Sequence, residues 1–191
     1  MMQKLTFITG NQNKADYLSR YLGYELDHVK VDLDEIQSLD LTEVVRHKMH
    51  QAYEIVNRPV LVEDVSLEFT ALGRLPGTFI KWFLDEMTFE DLCRLVDDKD
   101  RGAIAKCVFG YYDGHKEKFF KGSMNGMIAE NPAGANGFGW DKIFIPEGYS
   151  VTRAELDEED DKKTYLMIKP FEELKTYLDS RSSKPDTKSL E

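Results

Sequence analysis

The chain has few cysteines, no long apolar run and no excess of positive charge, and each shortage narrows what it can be. Its two cysteines, Cys93 and Cys107, are far apart and lack metal-ligand spacing. A disulfide-stapled scaffold and a zinc finger are excluded, and two reduced, partly buried thiols are expected. No apolar stretch reaches the roughly 20 residues that a bilayer-spanning helix needs, so no membrane partner is expected. The opening MMQKLTFITG has no long apolar signal core with a cleavage site. It reads as a first strand, and a cytoplasmic protein is expected. Acidic residues outnumber Lys and Arg by 35 to 25, a formal net charge of −10. That charge argues against long nucleic acid as a partner, because such binding rests on neutralising phosphates. It leaves a nucleotide open, since a few lysines around one pocket and a bound metal can hold a triphosphate on an acidic protein. Much of the excess acid sits in residues 155–161 (ELDEEDD), which read as a solvated loop.

What is present suits one folded unit. Hydrophobic residues make up 41% of the chain, enough for a sizeable core. Residues 4–8 (KLTFI) read as a strand that ends in a Thr9-Gly10-Asn11 turn. A helix follows from Asn13, with Leu18, Tyr21 and Leu22 on one face. Residues 28–33 alternate as a second strand, and residues 41–56 read as a helix capped by Thr42 or Asp40. The apolar run 59–62 (PVLV) has the look of a buried strand and leads into Glu63-Asp64. Residues 73–77 form a loop, and 79–84 and 89–96 are expected to be helical. Residues 103–112 and 117–128 flank Asp113-Gly114, a strong hairpin signal. A glycine-rich loop at 134–139 precedes a strand over 140–145, and a last helix covers 171–178. These elements predict an α/β fold with a curved mixed central sheet flanked by helices. The folded unit is expected over residues 1–180, in two lobes with a substrate cleft between them, followed by a polar tail at 181–191.

Three clusters could carry chemistry. The loop Thr9 to Lys14 joins a strand to a helix N-terminus, where free N–H groups and a lysine suit phosphate, although it lacks Walker A spacing. Glu63-Asp64 lies at the carboxyl end of a buried strand, where α/β proteins bind ligands, and oxygen ligands suit magnesium. Phe138-Gly139-Trp140-Asp141 could stack on a base and read its edge, or could simply supply core aromatics. Lys48, Lys81 and Glu35 do not stand out by themselves.

Taken in order, seven segments resemble the inosine triphosphate pyrophosphatase family. They are TGNQNK (9–14), LDEIQ around Glu35, the helix with Lys48, PVLVEDVSLEF (59–69), ALGRLPGTFIKWFL (71–84), FGWDKIFIPEGY (138–149) and TRAEL (152–156). The resemblance spans about residues 5–178. It implies hydrolysis of deaminated purine nucleoside triphosphates such as ITP, dITP and XTP to the monophosphate and pyrophosphate, a nucleotide-pool house-cleaning role. It also implies an elongated two-lobed α/β fold, a homodimer, and Mg2+ as cofactor with Mn2+ as a substitute. By the same resemblance Thr9, Gly10, Asn11, Asn13 and Lys14 hold the triphosphate. Glu35 and Asp64 would ligate the metal, Asp64 would be the general base and Glu63 the acid beside it. Lys48 and Lys81 would bind phosphate, and Phe138, Gly139, Trp140 and Asp141 would form the base pocket. The chain departs from the family where a Lys-Asn and then Ser-His-Arg are usual. Lys162 or Lys163 can stand in for the lysine, but Leu166, Met167 and Ile168 replace the triplet, and Val65 replaces a threonine. Apolar side chains cannot supply the hydrogen bonds of His and Arg. Relaxed or altered base specificity is therefore expected; the alternatives are a pyrophosphatase for another base and a catalytically weak nucleotide-binding protein.

Overall fold

The computed structural model describes residues 5–10, 12–23 and 26–182, with only the backbone of residues 13 and 182. In chain order the strands and helices are β1 (Thr6–Ile8), α1 (Gln12–Leu22), β2 (Asp27–Val29), α2 (Leu41–Val56), β3 (Val60–Phe69), β4 (Pro76–Gly77) and α3 (Ile80–Glu86). There follow α4 (Phe89–Arg94), β5 (Gly102–Tyr112), β6 (Glu117–Ile128), β7 (Phe144–Pro146), α5 (Glu158–Ile168) and α6 (Phe171–Ser182). The seven strands form one mixed sheet in the order β2-β1-β3-β5-β6-β7, with β4 also paired to β3. The expected α/β architecture is therefore the one formed.

Side chains alternate between sheet faces along a strand, and two cores follow from that period. Leu61, Leu67 and Phe69 of β3 join Phe109 and Phe120 in the larger core, which α1, α4 and α6 cover with Leu18, Leu92 and Leu174. Val60 and Val62 of β3 face the other way and meet Leu41, Val45 and Met49 of α2. Helix α2 starts where Asp40 Oδ1 accepts the N–H groups of Thr42 at 2.8 Å and Glu43 at 3.4 Å, so Asp40 is the cap.

The register of β3 creates an opening in the sheet. Its first half pairs in parallel with β1, ending at Ile8↔Val62. Its second half pairs antiparallel with β4, beginning at Leu67↔Gly77. Between them, residues 63–66 have no strand partner on that edge among the described residues, while β5 pairs with the opposite edge throughout. A ligand crevice at a change of strand partner is the α/β rule in local form.

Several boundaries differ from the sequence reading. The buried strand runs well past residue 62, because β5 pairs with β3 from Val60 to Phe69. Residues 139–142 form a short 3-10 turn rather than strand, and only Phe144–Pro146 pairs with β6. The acidic run is not a loop: Asp157 caps α5 by accepting the Asp160 N–H at 2.9 Å, and four acids fill the first turn. Negative charge at a helix N-terminus complements the helix dipole, so these acids favour the helix. Helix α6 continues to Ser182, and residues 183–191 of the expected tail lie outside the described residues.

Candidate active site

A cleft of about 620 Å³ opens at the gap in β3. Asp64 and Val65 form its floor, Lys48 and Val44 come from α2, and Glu35 comes from the segment before it. Lys81 and Trp82 come from α3, Phe138 to Asp141 from the 3-10 turn, and Tyr165, Ile168 and Lys169 from the end of α5. One end is thus charged and the other largely aromatic.

At the charged end Lys48 Nζ donates to Glu35 Oε1 at 2.9 Å and to Asp64 Oδ2 at 2.7 Å. Two carboxylate oxygens from segments far apart in the chain therefore converge on one cation. Burial alone would lower the Lys48 ammonium, and the two carboxylates override it and raise it. Burial would likewise raise Glu35, and Lys48 holds it below the ordinary carboxylate value. Asp64 Oδ1 accepts the Val65 N–H at 2.9 Å, satisfying a backbone donor on the open edge and fixing the carboxylate. The donor set is oxygen only. Among the described residues no group of three or more His, Cys, Asp or Glu is placed to hold a metal, so no all-protein cage exists. Two carboxylates facing the cleft fit magnesium, which is usually held by one or two carboxylates plus substrate phosphates.

Glu63 takes a different place from its neighbour. Adjacent strand residues point to opposite faces, so Glu63 turns away from Asp64 and is absent from the cleft lining. Its side chain is only 5% exposed and is ion-paired with Lys169 and, at 3.5 Å, with Lys14. Burial would raise its pKa, but the two ammoniums pull it down to about 2. Cys107 lies beside it, a free thiol pushed up to about 12 by burial. Cys93 is also free and buried. Glu63 thereby fixes Lys14 and Lys169, both of which line the cleft.

At the aromatic end Phe138 is 59% exposed, whereas Trp140 is half-buried against the larger core. Gly139 has φ +59°, a conformation that lets the chain turn immediately after the exposed ring. Asp141 Oδ2 accepts the Phe138 N–H at 2.9 Å. Burial raises the Asp141 carboxyl, opposed by Arg153, whose Nη1 donates to Asp141 Oδ1 at 2.8 Å.

The remaining sequence candidates divide. Lys14, Glu35, Lys48, Asp64, Lys81, Phe138, Gly139, Trp140 and Asp141 all line the cleft. Thr9 and Gly10 do not; Thr9 N–H bonds to the Val29 carbonyl. Asn11 lies outside the described residues, as does the side chain of Asn13. Lys162 and Lys163 are exposed and off the cleft, with Lys163 3.9 Å from Asp160. Of the apolar triplet, Ile168 lines the cleft and Met167 faces solvent. Sequence reasoning missed Arg153, Tyr165 and Lys169. Arg153 stands inside a Thr-x-x-Glu turn signal, Thr152 to Glu155, which could have marked it as anchored.

A family model described as the Ham1 family matches residues 5–177. The inosine triphosphate pyrophosphatase of Yarrowia lipolytica is 41% identical over 180 residues, covering 91% of this chain and 95% of that protein. The inosine triphosphate pyrophosphatase of Schizosaccharomyces pombe is 40% identical over 165 residues, covering 84% and 87%. Among solved structures, a HAM1 protein from Coxiella burnetii superposes with a TM-score of 0.82 at 24% identity, covering 94% of this chain and all of that one. The Staphylococcus aureus Ham1 protein gives 0.76 at the same identity and coverage, and both likenesses concern the fold.

Proposed function

The chain belongs to the Ham1 family, and from that premise we propose that it hydrolyses a deaminated purine nucleoside triphosphate, of the ITP, dITP and XTP class, to the monophosphate and pyrophosphate. The role is house-cleaning of the nucleotide pool. One observation carries the reading: Lys48 sits between Glu35 and Asp64 at the charged end of a cleft whose other end exposes Phe138. Triphosphate and base have matching ends to occupy.

Glu35 and Asp64 would hold Mg2+, with Mn2+ as a substitute. When bound, the ion supplies charge neutralisation at the phosphate oxygens. The chain's own residues supply the rest. Asp64, fixed by the Val65 N–H, takes the proton of the water that attacks the α-phosphorus. The bond from that phosphorus to the bridging oxygen breaks, and pyrophosphate leaves. Lys14, Lys48 and Lys81 offset the charge it carries. Phe138 stacks on the base and holds the nucleoside in register. The assembly in this proposal is a homodimer, so sedimentation should give twice the 22.1 kDa chain mass.

The test is pyrophosphate release from the purified chain with magnesium, across ITP, dITP, XTP and the four common ribonucleoside triphosphates. Release from the deaminated purines is expected, with Asp64→Asn lowering kcat by at least about 100-fold. Silence across the whole panel would overturn the reading in favour of a nucleotide-binding protein.

A further inference from the structure

Lys48 reaches the junction of Glu35 and Asp64 from α2, a helix to which neither carboxylate belongs. The helix is anchored by the buried Val44, Val45 and Met49, so the base of the lysine side chain is fixed. Its ammonium lies 2.9 Å from Glu35 Oε1 and 2.7 Å from Asp64 Oδ2, and its side chain is 14% exposed. The other Asp64 oxygen, Oδ1, is committed to the Val65 N–H. The ammonium thus stands where the two carboxylates converge, on the oxygens that a divalent cation would use. Two negative charges and one positive leave this cluster one negative charge, where the carboxylates alone would carry two. Lys81 of α3 adds a further positive field at Glu35. A divalent ion approaching the junction meets a cation already in contact with both of its ligands, and like charges at that range repel. Magnesium also gives up its water reluctantly, so two occupied carboxylates offer the free ion little. A triphosphate changes the balance. Its oxygens compete for a lysine on a flexible four-carbon stem and add ligands to the metal.

We propose that Lys48 is an internal placeholder for the divalent cation: it keeps free metal off Glu35 and Asp64 until a triphosphate draws the ammonium onto its phosphates, so that metal and nucleotide are taken up together. This rests on the reading that the two carboxylates receive the metal and the charged end receives the triphosphate. The lysine then has two stations, the carboxylates before the nucleotide arrives and the phosphates afterwards. The same exchange keeps two carboxylates from facing each other uncompensated in the empty cleft, and it ties use of the metal to the presence of substrate. A purely structural ion pair makes the opposite prediction. Without the ammonium its carboxylates would splay apart, and their affinity for metal would stay the same or fall.

Equilibrium dialysis of Mn2+ against nucleotide-free protein tests this, since carboxylate sites that suit magnesium also take manganese. We expect Lys48→Met to bind Mn2+ at least about 10-fold more tightly than the wild type, with water screening the loss of one charge at a partly exposed site. Lys48→Gln, which keeps a donor for one carboxylate, should gain likewise, and Lys48→Arg, which keeps the charge, should stay near the wild type. Asp64→Asn added to Lys48→Met should abolish the gain, which places the ion at these carboxylates. In the wild type an α,β-imido analogue of ITP, which cannot be cleaved, should bring Mn2+ onto the protein at concentrations where nucleotide-free protein holds little. Unchanged or weaker Mn2+ binding in both Lys48→Met and Lys48→Gln would overturn the proposal, as would a wild type that holds Mn2+ equally well with and without the analogue. Turnover is not the readout, because Lys48 also faces the phosphates. Pyrophosphate release by the same wild-type preparation separates the two readings. Release from ITP by a wild type that binds free Mn2+ as tightly as Lys48→Met sinks the placeholder and keeps the hydrolase. A gain in Lys48→Met without any release by the wild type does the reverse.

Discussion

At the residue scale, the Lys48 bridge makes the sharpest claim. Its ammonium is 2.9 Å from Glu35 and 2.7 Å from Asp64, with the lysine side chain 14% exposed. Lys48→Met removes the counterion of both carboxylates and a cation facing the phosphates. We expect kcat/KM for ITP to fall about 100-fold or more at saturating magnesium, in the range seen when one charge-stabilising donor is lost. Steady-state kinetics checks this, and an unchanged value would place Lys48 outside the phosphate path. Of this end, Asp64 was legible from its place at the end of a buried apolar run, whereas Glu35, Lys48 and Lys81 do not stand out by themselves and were singled out only through the family resemblance. That Glu63 stands away from the cleft was not legible in the Glu63-Asp64 pair itself; it follows from strand period two, which sends adjacent side chains to opposite faces. Lys169 was illegible for another reason: its partner Glu63 is 106 residues away, and only folding brings them together.

At the element scale, close approach decides where the site residues stand. Gly122 of β6 lies under the carbonyl of Ile168, and an added Cβ would collide with that backbone oxygen. The end of α5, with Lys169 at its C-cap, can sit on the sheet only if position 122 has no side chain. Gly122→Ala should destabilise the fold by about 1–3 kcal/mol, the usual cost of forced displacement in a packed interior, and displace Lys169 from Glu63. Urea unfolding measures the first effect. The hairpin turn gives a second test. Asp113 accepts N–H groups of His115 at 3.1 Å and Lys116 at 2.8 Å, and Arg181 of α6 donates to it at 2.9 Å. Burial would raise its carboxyl, but these donors lower it below the ordinary 3.8. A depressed folded-state pKa contributes stability above the unfolded value and loses it as pH falls through the folded one. Asp113→Asn should therefore cost about 1 kcal/mol at pH 7, given that the ion pair is partly exposed. The gap to wild type should close as pH falls below about 3.8 in parallel urea titrations. The hairpin itself was legible from Asp113-Gly114. Helix α5 was not, because a run of acids reads as solvated loop until a capping Asp157 and a helix dipole make the same charges favourable.

At the scale of the whole molecule, the site is assembled from α2, β3, α3, the 139–142 turn and α5, so a bound nucleotide ties both sheet faces to one another. The net charge of −10 does not oppose this, because Lys14, Lys48, Lys81 and Lys169 all line the cleft while much of the excess acid lies outside it. A ligand that contacts all of these elements must be released before global unfolding, so its binding energy adds to the stability of the entire chain. At a concentration 100 times its Kd it contributes about 2.7 kcal/mol. For a chain of this length each kcal/mol moves the melting temperature by about 2–4 °C. An α,β-imido analogue of ITP, which cannot be cleaved, should with magnesium therefore raise the melting temperature of the wild-type protein by roughly 5–10 °C, and chelation of the metal should remove most of the shift. Inorganic triphosphate under the same conditions occupies only the charged end and should give a smaller shift, because it leaves Phe138 and the turn that follows it untouched. Equal shifts from the two ligands would mean that the aromatic end adds no binding energy, and selection among bases would then have to arise after binding.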